Sequence, residues 1–260
     1  MSKEKAKMFE DLKPHLIELR KRLFISVLAL IVCVIGCFGF WEFILAFISA
    51  PLKGALPEGS DIIFKEVTEP FFTAMKVAFI AGLLVACPVM FWQFWLFVAP
   101  GLYDNEKKFV IPFVFCATLM FFLGAAFCYY FVLPTGLHFL INFGGQLFLA
   151  LPSIGEYVGF FTKLVIAFGL SFELPVISFF LAKIGLITDE SLKAYFRYAV
   201  VGIFIFAAVM TPPDIFSQIM LAAPLIVLYA LSIYIAKLVN PAQKDDEDDG
   251  GTELEKSQNA

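Results

Sequence analysis

Six apolar runs, separated by short polar stretches, organise this chain of 260 residues. They cover residues 23–40, 71–99, 110–133, 157–184, 195–210 and 215–239. A membrane-crossing helix needs about 20 apolar residues to pass a hydrocarbon core of about 30 Å. Five runs meet that length or approach it, and the fifth gives a helix of only about 24 Å at 1.5 Å per residue. Prolines punctuate the pattern: Pro88 is expected to break or kink the second run, Pro134 to end the third, Pro175 to interrupt the fourth, and Pro224 lies inside the sixth. The stretches at 42–70 and 134–156 read as loops, and Thr211-Pro-Pro-Asp214 as a tight turn. The expectation is an all-α polytopic membrane protein with six transmembrane helices.

Composition agrees and excludes whole classes. The chain is 60% hydrophobic and 16% charged, with 33 phenylalanines, against about 45–50% and 25% in soluble domains. A soluble enzyme, a disordered chain and a nucleic-acid binder are all excluded. The formal charge of −4 misleads, because residues 244–260 hold seven acids and two lysines. Three parts follow: a charged amphipathic segment at 1–22, a membrane domain at 23–239, and an acidic tail at 240–260 expected to be disordered in solvent. No cleavable leader is expected, since the first segment is highly charged and the first apolar run is long enough to span.

Basic residues set orientation. Fifteen of the 19 fall at the N-terminus, in the loops after the second and fourth runs, and around the C-terminus. Only Lys53, Lys65, Lys76 and Lys163 lie elsewhere. Both termini are therefore expected in the cytoplasm, and the 134–156 loop, which has no Lys or Arg, outside.

A few polar residues are not explained by apolar packing. Phe9, Leu12, Leu16 and Leu19 recur at helical spacing, with His15, Glu18 and Arg22 forming a stripe beside them. Periodicity alone favours a membrane-surface anchor with a local Glu18–Arg22 pair. Glu106 sits in the next loop on the same face, beside two lysines. Two carboxylates on one surface match two guanidinium groups, whose fork geometry lysine does not reproduce. Glu173 lies deep in the fourth run, where a charged residue costs about 2.5–3.5 kcal/mol on insertion scales. It therefore reads as functional and facing a polar cavity or partner. Gln93 and Gln218 are weaker cases, and Gly155/Gly159 match a small-residue packing pattern. Cys33, Cys37, Cys87, Cys116 and Cys128 all sit in apolar runs and read as packing. There are no catalytic or phosphate-binding motifs, and two histidines support neither a triad nor a metal centre. No enzyme activity, cofactor or metal is expected.

Several of these segments occur together in one family. They are His15-Leu-Ile-Glu-Leu-Arg-Lys-Arg22, Ser49-Ala-Pro-Leu52, Pro70-Phe-Phe72, Gln93-Phe-Trp-Leu-Phe-Val-Ala-Pro-Gly-Leu-Tyr103, Glu106, Phe168-Gly-Leu-Ser-Phe-Glu-Leu-Pro175 and Thr211-Pro-Pro-Asp-Ile-Phe-Ser-Gln218. In this order the chain resembles the C subunit of twin-arginine protein translocases, the TatC family, from about His15 to Lys237. The resemblance implies a concave, glove-shaped bundle with two short C-terminal spans in a bacterial inner membrane. It implies a receptor for the Arg-Arg signal peptides of folded precursors, with transport driven by the proton-motive force. By the same resemblance Glu18, Arg20, Arg22, Phe97, Tyr103 and Glu106 form the signal-peptide patch. Glu173, with Gln93, marks an intramembrane polar site. Thr211, Asp214 and Gln218 mark the contact for single-span subunits of the TatA/TatB type, and Pro51 an organising outside loop. Self-association, contact with membrane lipids and no nucleic-acid partner complete the expectation. Competing classes are a proton-coupled small-solute transporter or channel using Glu173, and an intramembrane enzyme, for which Ser171 lacks a basic partner.

Overall fold

The computed structural model describes residues 3–98, 110–144, 149–211 and 214–240, with side chains from residue 15 onward. These residues form ten α-helices, and their one β-bridge joins Ile63 to Ser153. Helices α1 (Lys3–Phe38), α3 (Glu69–Val98) and α10 (Ile215–Val239) are continuous. Helices α4 (Val110–Phe127) and α5 (Leu133–Gly144) are joined by a π turn at Cys128–Val132. Helices α6 (Ile154–Ser171) and α7 (Glu173–Lys183) are separated by Phe172. The spans at His15–Phe38, Glu69–Val98, Ile111–Phe143, Ile154–Lys183 and Ile215–Val239 are long and apolar enough to cross a membrane, and α9 (Phe196–Met210) is shorter. Of the two C-terminal spans expected to be short, only α9 is; α10 has 25 residues, about 38 Å.

The span expected to stop at Pro134 instead continues to Gly144. A helical proline removes one N–H and clashes with the carbonyl four residues back. Just upstream the helix widens, and the Leu133 N–H donates to the Cys128 carbonyl, five residues back. The π turn places the irregularity where the helix meets Pro134. Pro175 acts differently. Its missing N–H leaves the Ser171 carbonyl without a helical donor, and the helix breaks at Phe172, so that Pro175 falls in the first turn of α7, where no N–H partner is needed. Helix α3 runs through Pro88 without the expected break.

The 42–70 stretch is not all loop. Helix α2 (Trp41–Ala55) buries Ile48, Ser49, Leu52 and Ala55, a stripe at helical spacing. Pro51 interrupts its ladder, and tyrosines from elsewhere compensate. Tyr129 Oη donates to the Phe47 carbonyl, the one Pro51 leaves unpaired, at 2.9 Å. Tyr157 Oη donates to the Ile48 carbonyl at 2.6 Å. Pro51 is thereby part of a seam that fixes α2 against the π turn and α6.

The α6–α7 span is central: more than half of its most apolar stretch is buried, and none of that of the α1 span. Around α6 pack Val77 and Ile80 of α3, Cys128 and Val132 of the π turn, and Leu221 and Leu225 of α10. A smaller aromatic cluster joins Trp95, Phe113 and Phe180, with Trp95 and Phe113 rings 4.1 Å apart. Helix α1 packs mainly on α3, and the crossing depends on Gly82: a Cβ there would lie 2.6 Å from Val34 Cγ2 and 2.7 Å from the Val34 backbone. Ile35, Phe43 and Val67 are among many large apolar side chains left exposed, as expected for a lipid-facing surface rather than a soluble one.

Candidate functional site: a polar stripe between the first and third helices

The helical stripe of His15, Glu18 and Arg22 faces the C-terminal end of α3. Arg22 Nη2 donates to Glu18 Oε1 at 3.3 Å, one turn away on the same helix. Arg22 Nη1 donates to Gln93 Oε1, also at 3.3 Å. The His15 ring lies 6.0 Å from that of Phe97. Gln93 thus meets Arg22 where α1 packs on α3.

This arrangement is loosely satisfied. Arg22 Nε is buried without a partner, and the Glu18 side chain stays 30% exposed. An i,i+4 pair of this kind contributes about 0.3–0.5 kcal/mol. Glu18 thus has a partner it can exchange at little cost, and lone pairs left for a further donor. Arg20 is exposed on another face of α1. Tyr103 and Glu106 lie outside the described residues.

Glu173 opens α7 and is buried, with Oε1 lacking a partner. It stands at the helix break that Pro175 imposes. Two features make the site unusual: an unpaired buried carboxyl oxygen, and the interrupted backbone beside it. On α9 and α10, Thr211 Oγ1 donates to Ala207 O at 2.9 Å, Asp214 Oδ1 caps α10 by accepting from the Ser217 N–H at 2.7 Å, and Gln218 Nε2 donates to Phe204 O at 3.1 Å. These three residues come together at the hairpin. The second Asp214 oxygen and Ser217 Oγ remain buried and unpaired, which leaves polar capacity at this corner.

The opposite end of the bundle holds a network that sequence reasoning missed. Glu69 accepts from the Lys65 N–H at 2.6 Å, the Gly155 N–H at 2.7 Å and the Ser153 hydroxyl. A Cβ on Gly155 would come 2.8 Å from Glu69 Oε1. The Gly155/Gly159 pattern is therefore not a helix-packing seam: Gly155 makes room for a carboxylate, and a Cβ at Gly159 would meet nothing within 4 Å. Lys65 Nζ donates to Glu156 at 2.7 Å, and that bond raises the Lys65 ammonium above its ordinary value. No sequence signal links residues 91 positions apart. Among the described residues, no group of three or more metal-ligating side chains occurs.

The relatives of this chain share this architecture. The model of the Sec-independent protein translocase protein (TatC) family matches residues 14–224. The chain belongs to the TatC family. A Campylobacter jejuni Sec-independent protein translocase protein TatC is 58% identical over 244 residues, covering 93% of this chain and all of that protein. Its Helicobacter pylori counterpart is 55% identical over 242 residues, covering 93% of this chain and 95% of its own length. A crystal structure of the twin arginine translocase receptor TatC superposes with a TM-score of 0.80 at 38% identity, covering 86% of this chain and 99% of that one. Membership makes this chain a protein-translocase component of the membrane and not an enzyme. In TatC terms the polar stripe lies on the first and third helices, and the buried acid on the helix after the break.

Proposed function

We propose that this TatC chain is the receptor subunit of a twin-arginine translocase in the bacterial cytoplasmic membrane, with both termini cytoplasmic. One observation carries the reading: Glu18 is held only by a weak turn-to-turn contact, on a stripe anchored to α3. An incoming arginine forms a charge-assisted, bidentate bond with such a carboxylate, and Arg22, anchored on Gln93, retains a partner when Glu18 is taken. Glu106 supplies the second carboxylate, and Phe97 and Tyr103 shape the patch. The apolar part of the signal peptide then lies along the concave face toward Glu173. Single-span subunits dock at Thr211, Asp214 and Gln218, and the proton-motive force drives export.

The test is photo-cross-linking from positions 18, 106 and 173 to an Arg-Arg precursor and a Lys-Lys control. Cross-links at 18 and 106 are expected to require the arginines, and Glu18→Lys and Glu106→Lys to abolish them. Equal cross-linking of both precursors overturns the receptor assignment. Glu173→Ala is expected to spare initial recognition and weaken assembly or transport.

A further inference from the structure

At the end of the bundle away from the polar stripe, a groove of about 770 Å³ opens between α3, α6 and the end of α9. Its lining includes Lys65, Glu66, Glu69 and Glu156 near the starts of α3 and α6, Lys76 and Lys163 further along those helices, and Thr211 at the end of α9. The acids and cations near the helix starts are already engaged: Glu156 with Lys65, and Glu69 with backbone N–H groups and Ser153. Only Glu66 adds an unpaired acid there. Lys76 and Lys163 are different. Both are exposed into the groove, and neither has a hydrogen bond or ion pair among the described residues.

Depth decides what two unpaired ammonium groups face. Helix α3 has 30 residues, about 45 Å, which matches a bilayer of about 40–45 Å with its headgroups. Lys76 lies seven residues in from Glu69, about 10 Å, and Lys163 nine residues in from Ile154, about 13 Å. Both stems therefore start near the hydrocarbon boundary, and lysine heads snorkel outward from such positions. The level they reach is that of lipid phosphates. Helix α9 contributes to the geometry. It has 15 residues, about 22 Å, too short for the full bilayer, and its last residues line the same groove, with Val209 exposed beside it.

The geometry points to a binding site for the phosphate of an anionic phospholipid in the leaflet at this end of the bundle, held between Lys76 and Lys163. The acyl chains run down the exposed apolar side chains of α3 and α9, such as Phe79, Val209 and Ile205. A lipid there fills the space that short α9 leaves open and gives the two ammonium groups their missing counter-charge. The site is separate from the polar stripe, so its success or failure says nothing about signal recognition.

The test uses the full chain in nanodiscs of mixed phosphatidylglycerol and phosphatidylcholine, with a photoreactive phenylalanine at position 72 on the groove. Phosphatidylglycerol is expected to be captured at least tenfold over its mole fraction relative to phosphatidylcholine. Lys76→Gln with Lys163→Gln is expected to remove that preference, Lys76→Arg with Lys163→Arg to keep it, and Lys53→Gln, an exposed lysine outside the groove, to leave it unchanged. The arginine pair controls for folding. Equal capture of both lipids overturns the site, as does a preference that survives the double glutamine variant. Full displacement by millimolar inorganic phosphate overturns the lipid assignment in favour of a soluble anion.

Discussion

The two polar ends of this bundle solve the same problem in opposite ways. At one end Glu69 has backbone and hydroxyl donors around it, and Lys65 and Glu156 are paired. At the other, Arg22 spans two acceptors at 3.3 Å each, and its Nε has none. Buried polar groups are ordinarily satisfied, so the contrast lies in the two carboxylates: Glu69 is enclosed by donors, and Glu18 has one long contact. The tied end holds loops and helix starts in register. The loose end keeps a carboxylate available.

The sharpest way to break this contrast is to overfill the tied end. Gly155→Val drives a side chain into the Glu69 carboxylate and is expected to cost about 1–3 kcal/mol, read as a lowered melting temperature in detergent. At the loose end, Glu18→Lys is expected to change stability by less than about 0.5 kcal/mol while reducing Arg-Arg peptide affinity at least tenfold, read by titration of a labelled peptide. A large loss of stability in Glu18→Lys would erase the distinction between the ends. Tyr129→Phe removes the donor to the carbonyl that Pro51 leaves unpaired, and is expected to cost about 1 kcal/mol with peptide binding unchanged. Gln93→Ala is the smallest change: it frees one side of Arg22, costs a few tenths of a kcal/mol, and is expected to weaken peptide binding severalfold by letting Arg22 close more fully on Glu18. Lys65 supplies a pH test with a defined sign. Its raised value means the bond to Glu156 favours the folded form at neutral pH and is lost as pH rises past the ordinary lysine range of about 10.4. Hydrogen exchange at residues 152–156 is expected to accelerate there, and Lys65→Gln to remove that transition.

Most of the bundle was legible from apolar run length, because a bilayer imposes a minimum span and tolerates few charges. The start of α10 was legible because the Thr211-Pro-Pro-Asp214 turn precedes an apolar run, and Asp214 caps the helix there. Helix α2 was not: Pro51 and Gly54 resemble loop punctuation, and the donors that rescue the helix, Tyr129 and Tyr157, sit far along the chain. Pro134 misled for a similar reason, since a π turn absorbs the clash that periodicity treats as a stop. Within the site, Glu18 and Arg22 share a face by spacing alone, but Gln93 joined them only through the α1–α3 crossing.

The sequence by itself determined that this is a helical membrane protein, where its spans lie, and which few polar residues resist explanation by packing. Those properties follow from local rules of length, periodicity and charge. The tertiary structure decided which polar residues meet. The approach of Val34 to Gly82 sets α1 on α3 and thereby gives Arg22 its second acceptor, while the space above Gly155 lets one carboxylate tie two distant loops. Such pairings depend on helix crossings a few ångströms apart, and no local pattern encodes them.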